Sequence, residues 1–262
     1  MNKKEINREY HEELRAYRSE LQIHKTEYKR CRDAAKERRR AALEEYKRER
    51  AHPNDPPRRK IIDEVGNAVT HGIGALISPV LYVLMLLNSH GVWDYIGATI
   101  YFMGLFLMFL SSCLYHSFAH GSAVKRLFHR FDYCSIYLLI GATFAPILLS
   151  HIGGALGIIF FAVQWAIIIT AITLTAVFGP KKLRKVSTPI YLLLGWSGAM
   201  LIPQLLTGGI DFPIWIIGGG VVFSLGVIPF AIKRGPAHFI WHIFVLAGAL
   251  VHWLGIFLNV YM

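Results

Sequence analysis

Two histidines four residues apart, in the stretch HFIWH, open the last apolar run of the chain. On a helix, His238 and His242 stack on one face, about 6 Å apart along the axis. Such a pair can form half of a metal site, or it can hydrogen-bond between packed helices. The stretch alone does not choose between the two, so the remaining polar residues of the apolar region have to decide.

Three of those residues are predicted to lie at the same depth as the histidine pair. His116 ends the second apolar run in SSCLYHSF, Ser112 lies one turn before it, and Asp132 falls in the first turn of the third run. Three neutral imidazoles suit Zn²⁺ and leave a fourth position for water. HFIWH lacks the glutamate of HExxH, so Asp132, as the only acid at this depth, is the candidate base, and Ser112 could hydrogen-bond the water. Since ionisable groups within a membrane usually mark a functional site, the set favours a metal centre.

A further polar cluster lies in EVGNAVTH, at the start of the first apolar run. Glu64, Asn67 and His71 follow one another at i, i+3 and i+7, which puts them on one helical face. They could support the metal ligands through hydrogen bonds. They could equally cap the helix and pack at an interface, and the sequence leaves both interpretations open.

The helices that must position these residues follow from composition. Residues 1–60 hold 19 of the 28 lysines and arginines and 12 of the 17 acids, whereas only three acids occur from residue 65 onward. The second part reads as apolar runs that match the thickness of a bilayer. We predict an all-α polytopic membrane protein with two domains, residues 1–60 and 61–262. The seven predicted spans are Val69–Ser89, Trp93–Tyr115, Tyr133–Leu149, Ile152–Phe178, Pro189–Leu206, Phe212–Ile232 and Phe239–Tyr261.

Basic residues in alternate connections predict the orientation of this seven-helix bundle. Lys125, Arg126 and Arg130 are assigned to the second connection, the stretch PKKLRK to the fourth, and Lys233 with Arg234 to the sixth. The other connections, NSHGV, SHIGG and TGGID, contain no lysine or arginine. The positive-inside rule therefore predicts a cytoplasmic N-terminus and an outside C-terminus. His116, Asp132, His238 and His242 then all lie in the cytoplasmic leaflet.

The charged extension is predicted to be one long helix that ends before PNDPP. Its apolar residues alternate spacings of three and four, as in a coiled coil, at Leu14, Tyr17, Leu21, His24, Tyr28, Cys31 and Ala35. Histidine, cysteine and alanine occupy core positions at which a coiled coil usually has leucine, so this would be a weak coiled-coil core. A solvated charged helix and a coiled coil therefore both stay open.

Four stretches, EVGNAVTHG, SSCLYHSF, HRFDY and HFIWHIFVLAGALVH, together resemble the haemolysin III family. This family is the bacterial branch of the progestin and adipoQ receptor (PAQR) superfamily, and the resemblance covers residues 61–262. It implies that His116, His238 and His242 are zinc ligands, that Asp132 holds the zinc-bound water and that Ser112 is accessory. It also implies lipid amide or ester hydrolysis for some members, and cytolytic or membrane-homeostasis roles for the bacterial branch.

The function expected from these residues is a zinc-dependent intramembrane hydrolase acting on a lipid in the cytoplasmic leaflet. Two alternatives remain, namely a pore-forming or cytolytic protein and a lipid-sensing receptor with structural zinc. The expected location is a bacterial plasma membrane. Membrane lipids are the expected partners, nucleic acid is not, and a cytoplasmic partner or self-association through residues 1–60 stays open.

Overall fold

The regular structure of the chain is helical throughout the residues that a computed structural model describes, which are 3–49, 52, 54–232 and 236–262. The α-helices of this part of the chain are α1 (Lys3–Glu49), α2 (Ile61–Leu87), α3 (Val92–Ser117), α4 (Ala123–Pro146), α5 (Gly154–Phe178), α6 (Pro180–Trp196), α7 (Ile202–Leu205), α8 (Asp211–Ala231) and α9 (Ala237–Ile256). Short π-helical segments extend α4 through Ile147–Ile152 and α9 through Phe257–Tyr261. Turns of 3₁₀-helix, Ser197–Leu201 and Leu206–Gly208, flank α7.

Seven helical segments of the described chain are long and apolar enough to cross a membrane. They comprise α2, α3, α4 with its π turn, α5, α6 continued through α7 to Gly208, α8, and α9 with its π turn. This confirms the predicted all-α fold with seven spans. Asn54–Met262 forms one compact unit, and Met1–Pro53, which contains α1, forms another.

Three helices begin well before their predicted spans. Helix α2 starts at Ile61 and not at Val69. The other two, α4 and α6, carry basic residues that had been assigned to connections. Helix α4 starts at Ala123, where the Ser122 side chain accepts a hydrogen bond from the Lys125 backbone N–H at 3.1 Å. Asp132 consequently lies in the third turn of α4, not in its first. Helix α6 starts with Pro180 and includes the basic stretch 181–185. Lys233 and Arg234 lie outside the described residues.

Small residues let the helices of the bundle approach closely, as is usual between membrane helices. A Cβ atom built on Gly97 of α3 would lie 2.9 Å from the Cα atom of Pro146 at the end of α4. The neighbour is backbone, so it cannot turn aside. The apolar core around this contact includes Tyr101 and Met108 of α3 and Leu139 and Phe144 of α4.

Replacing Gly97 with alanine should lower the free energy of unfolding by about 1–3 kcal/mol, because a methyl group would push α3 away from α4. Gly195→Ala is the matched control, since a Cβ atom on this helical glycine would have no heavy atom within 4 Å. Thermal unfolding of both variants in the same detergent measures the difference. Equal midpoints for the two variants would contradict the tight contact.

Four of the helix termini at one end of the bundle lie near the predicted site residues. Helix α2 begins there, α3 ends there, and α4 and α9 begin there. We call it the basic end, because Lys125 and Arg126 lie in the first turn of α4. It is the end that the sequence predicts to face the cytoplasm.

Candidate metal centre

His116 lies in the last turn of α3 and points into the bundle, with 3% of its surface exposed. Its Nδ1 atom contacts the Oε2 carboxylate oxygen of Glu64, in the first turn of α2. The Nδ2 atom of Asn67, one turn further along α2, lies 3.3 Å from the same nitrogen. A carboxylate at Nδ1 holds the imidazole in one orientation and directs Nε2 away, as in many metal-bound histidines.

The Nε2 atom of His116 is buried and has no hydrogen-bond partner among the described residues. The rings of His242 and His238 lie 4.7 and 5.4 Å from the His116 ring, measured between centroids. Two helices, α3 with one histidine and α9 with two, thus present three imidazoles to one small volume beside the start of α2.

The spacing of the ligand atoms tests whether a metal ion fits this cluster. The Nε2 atoms of His238 and His242 lie 3.2 Å apart. Two nitrogens of a tetrahedral zinc site, each about 2.05 Å from the ion, would be about 3.3 Å apart. One ligand atom from each of the three histidines lies within 4.8 Å of the others. This buried histidine triad could bind a metal ion, and the residues fit zinc in both chemistry and spacing.

His71, the third residue of the polar face on α2, packs directly on the triad. Its ring lies 3.9 Å from the His242 ring and meets Phe109 of α3 edge-on at 5.2 Å. Glu64 and Asn67 contact His116 itself, so the polar face of α2 is gathered around the triad. The expectation that Asp132 is the only acid at this depth was wrong, because Glu64 reaches the same depth from the first turn of α2.

Asp132 and Ser112 lie on the wall of a cavity that ends at the triad. His71, His238 and His242 line the same cavity. Ser112 is 1% exposed, and its Oγ atom has no hydrogen-bond partner among the described residues. Asp132 and Ser112 therefore share one cavity with these three histidines.

This cavity has a volume of about 140 Å³ and is lined by α4, α6, α8 and α9 together with residues of α2 and α3. Its wall is almost entirely apolar away from the basic end, with Ile140, Ile216 and Val245 among the lining residues. His252 lines it ten residues beyond His242, which corresponds to about 15 Å along α9. The cavity thus extends from the triad deep into the bundle.

Lys125 was predicted to lie in a connection, but it is a buried residue of α4 that supports the triad. Lys125 is 1% exposed, and its Nζ atom lies 3.1 Å from Glu64 Oε1. The same ammonium donates to the backbone carbonyl oxygens of Tyr115 at 3.0 Å and Phe118 at 2.9 Å. One signal could have found it. Lys125 and Asp132, at i and i+7, share a face of α4.

The chain matches the family model described as haemolysin-III related over residues 59–253. It is 38% identical to Hemolysin-3 of Bacillus cereus over 194 residues, which cover 71% of this chain and 87% of that protein. The chain belongs to the haemolysin III family.

Other relatives extend the likeness beyond a single protein. The Hemolysin-3 homolog of Bacillus subtilis is 35% identical over 195 residues, 72% of this chain and 90% of that protein. The monocyte to macrophage differentiation factor of Homo sapiens is 30% identical over 238 residues, 84% of this chain and 93% of that protein. These relatives confirm the predicted place of the family within the PAQR superfamily. With the seven apolar helices, they indicate a multi-pass integral protein of a bacterial plasma membrane.

In this haemolysin III chain, Glu64→Gln should weaken zinc binding by about 10–100-fold, because a neutral amide no longer stabilises the His116 orientation as a carboxylate does. Asp63→Asn is the matched control, since it removes the neighbouring charge in the same helical turn. Competition with a chelator of known affinity measures both variants. Equal zinc affinity in the two would contradict a supporting role for Glu64.

Proposed function

We propose that the protein is a zinc-dependent intramembrane hydrolase that cleaves an amide or ester bond of a membrane lipid. The observation that carries this proposal is the apolar cavity that ends at the histidine triad, with a carboxylate on its wall. Ligand sites of this kind are mostly apolar and contain a few convergent polar groups. A purely structural metal site would need no such cavity beside it.

His116, His238 and His242 would hold the ion, each through one ring nitrogen. Zinc held by three histidines supplies a water that is acidic enough to deliver hydroxide near neutral pH, and it polarises a carbonyl group. The contact between Glu64 and His116 keeps that imidazole turned toward the other two. Lys125 in turn fixes the Glu64 carboxylate from its other oxygen.

Asp132 is the proposed general base. It lines the cavity together with His238 and His242, so it can take the proton from a water placed between itself and the triad. It can then give that proton to the leaving amine or alcohol. Ser112, on the facing turn of α3, can donate a hydrogen bond to the oxygen on which negative charge develops.

The cavity also suggests how a lipid would lie. The apolar part of the cavity suits an acyl chain, because hydrocarbon bound there leaves water without displacing any polar contact. The scissile bond would then sit at the triad, and the headgroup would face the basic end. In the predicted orientation the substrate enters from the cytoplasmic leaflet.

The test combines metal content with turnover. Zinc is quantified on detergent-purified protein, which is then incubated with a panel of ceramides, diacylglycerols and phospholipids, and released fatty acids are measured by mass spectrometry. We expect stoichiometric zinc and release from at least one lipid, abolished by a chelator and restored by zinc. Bound zinc without turnover of any lipid would favour a receptor with structural zinc. Metal-independent leakage from liposomes would favour a pore former.

A further inference from the structure

Helix α1 presents an exposed apolar stripe along one face. Numbered as a heptad with Leu14 at position a, the stripe occupies successive a and d positions. Its members are Tyr10, Leu14, Tyr17, Leu21, His24, Tyr28, Cys31 and Ala35. Tyr17 and Tyr28 are 64% and 70% exposed, which is unusual for aromatic side chains aligned on one helical face.

The charges that flank this stripe are sorted by sign. On one side, the g positions are Glu13, Glu20 and Glu27. On the other side, the e positions are Arg18, Lys25, Arg32 and Arg39. In a parallel two-stranded coiled coil, a residue at g faces the residue at e five positions later on the partner helix. Each of the three glutamates would therefore meet a cation, namely Arg18, Lys25 or Arg32 of the second chain.

Most of these charges are not used within α1 itself. Glu27 lies 3.9 Å from His24, and Arg32 lies 3.4 Å from Asp33. Glu13, Arg18, Glu20 and Lys25 form no salt bridge with another side chain in the described part of the helix. The ion pair between Arg8 and Glu12, at 3.2 Å, joins heptad positions b and f on the opposite face. Intrahelical pairing thus explains neither the sorting of the charges nor the apolar stripe between them.

We propose that residues 10–35 of α1 form a parallel two-stranded coiled coil with a second copy of this chain. The parallel arrangement follows from the charges, because an antiparallel pair would place glutamate against glutamate and arginine against arginine. Two copies inserted the same way into one membrane also carry their extensions on the same side. A different protein would need its own matching charge pattern, whereas the second copy supplies it.

The composition of the seam sets the strength of this pairing. Leucine occurs only at Leu14 and Leu21, and Arg38 occupies the d position at which the stripe ends. A seam with few leucines and one histidine forms a weak dimer, whose pairing depends on the flanking charges and falls as salt is raised.

Cys31 provides a direct probe, because it occupies a d position and is exposed on α1. Across a parallel dimer, two Cys31 residues would face each other, so that their thiols can be joined by an oxidant such as diamide. Full-length protein in membranes, treated with diamide, should run as a disulfide-linked dimer without reducing agent, and Cys31→Ser should abolish that band.

The matched control moves the thiol to the outer face. In a Cys31→Ser/Ser19→Cys variant the cysteine occupies position f, where partner thiols point apart, and we expect no dimer band. Equal crosslinking through residue 19, or a monomer in the native sequence, would overturn the proposal. A crosslinked product of any other mass would assign the stripe to a different protein and overturn it as well.

Charge exchange tests the pairing itself. One chain carries Glu13→Lys, Glu20→Lys and Glu27→Lys, and a second carries Arg18→Glu, Lys25→Glu and Arg32→Glu. Each should lose the Cys31 dimer when expressed alone, since like charges then face each other. Coexpression should restore crosslinking as a mixed dimer, distinguished by tags of different size. If each charge-exchanged chain still forms as much crosslinked dimer when expressed alone, the seven-helix bundles and not the α1 charges bring the chains together.

Discussion

Purified His242→Ala should contain close to no zinc, whereas the native chain should contain about one ion per molecule. The physical reason is that a tetrahedral site with three protein ligands loses a third of its donors, and the two remaining imidazoles bind far more weakly. His242 is 2% exposed, and its Nε2 lies 3.2 Å from that of His238. Elemental analysis after gel filtration measures the ratio.

His252→Ala is the matched control for this loss. It removes another imidazole from α9, one that hydrogen-bonds the Ile216 carbonyl at 2.9 Å and lies far from the triad. We expect this variant to keep its zinc, so a fall in both variants would point to unfolding of the helix. Native protein purified without chelators and found free of metal would contradict the zinc proposal, while leaving the family assignment and the seven-helix fold untouched.

Asp132→Asn should lower lipid hydrolysis by about 10²–10⁴-fold while leaving the zinc content near that of the native chain. Asparagine keeps the size of the side chain, but it replaces one acceptor oxygen with an NH₂ donor and cannot accept the proton. That range is the usual contribution of a positioned general base. The change should appear in kcat more than in KM, since the carboxylate acts on the water and not on the lipid.

Ser135→Ala gives a control on the same helix, because this serine hydrogen-bonds Ser111 and the Asp132 backbone carbonyl oxygen and no other described residue. Its turnover should stay within a few-fold of the native rate. Native turnover in Asp132→Asn would rule out Asp132 as the base. Since Glu64 is the other carboxylate near the triad, Glu64→Gln would then be the variant to assay for turnover.

The main features of the fold could be predicted from the sequence because few kinds of backbone structure can cross a bilayer. Apolar runs near 20 residues must become helices, which satisfy their own backbone groups. What hydropathy could not show is where helices begin inside charged stretches. Helix α4 extends ten residues before the predicted span, since Ser122 caps it and the stretch around Lys125 buries one face. The buried face of this part of α4 depends on tertiary packing, so the local pattern of apolar residues does not predict it.

The clustering of three histidines could be predicted from the sequence, but the residues that support them could not. His116, His238 and His242 stand out because histidines are rare in apolar runs and because the topology brings them to one depth. The role of Glu64 left two interpretations open, since an acid in a first turn is also an ordinary helix-dipole partner. Its contact with His116 and its ion pair with Lys125 depend on how α2 packs against α3 and α9, which spacing along one helix does not encode.

The segment between the charged helix and the first span is part of the folded bundle. The Arg126 side chain donates to Asp55 at 3.0 Å, and His120 Nε2 hydrogen-bonds the Pro56 carbonyl oxygen at 3.0 Å. A truncated chain meant to isolate the membrane domain should therefore begin at Asn54. A chain that begins after residue 60 would lose both hydrogen bonds to the segment between α3 and α4, directly beside the last turn of α3, which carries His116. A loss of metal from that shortened protein would therefore not show that α1 affects the site.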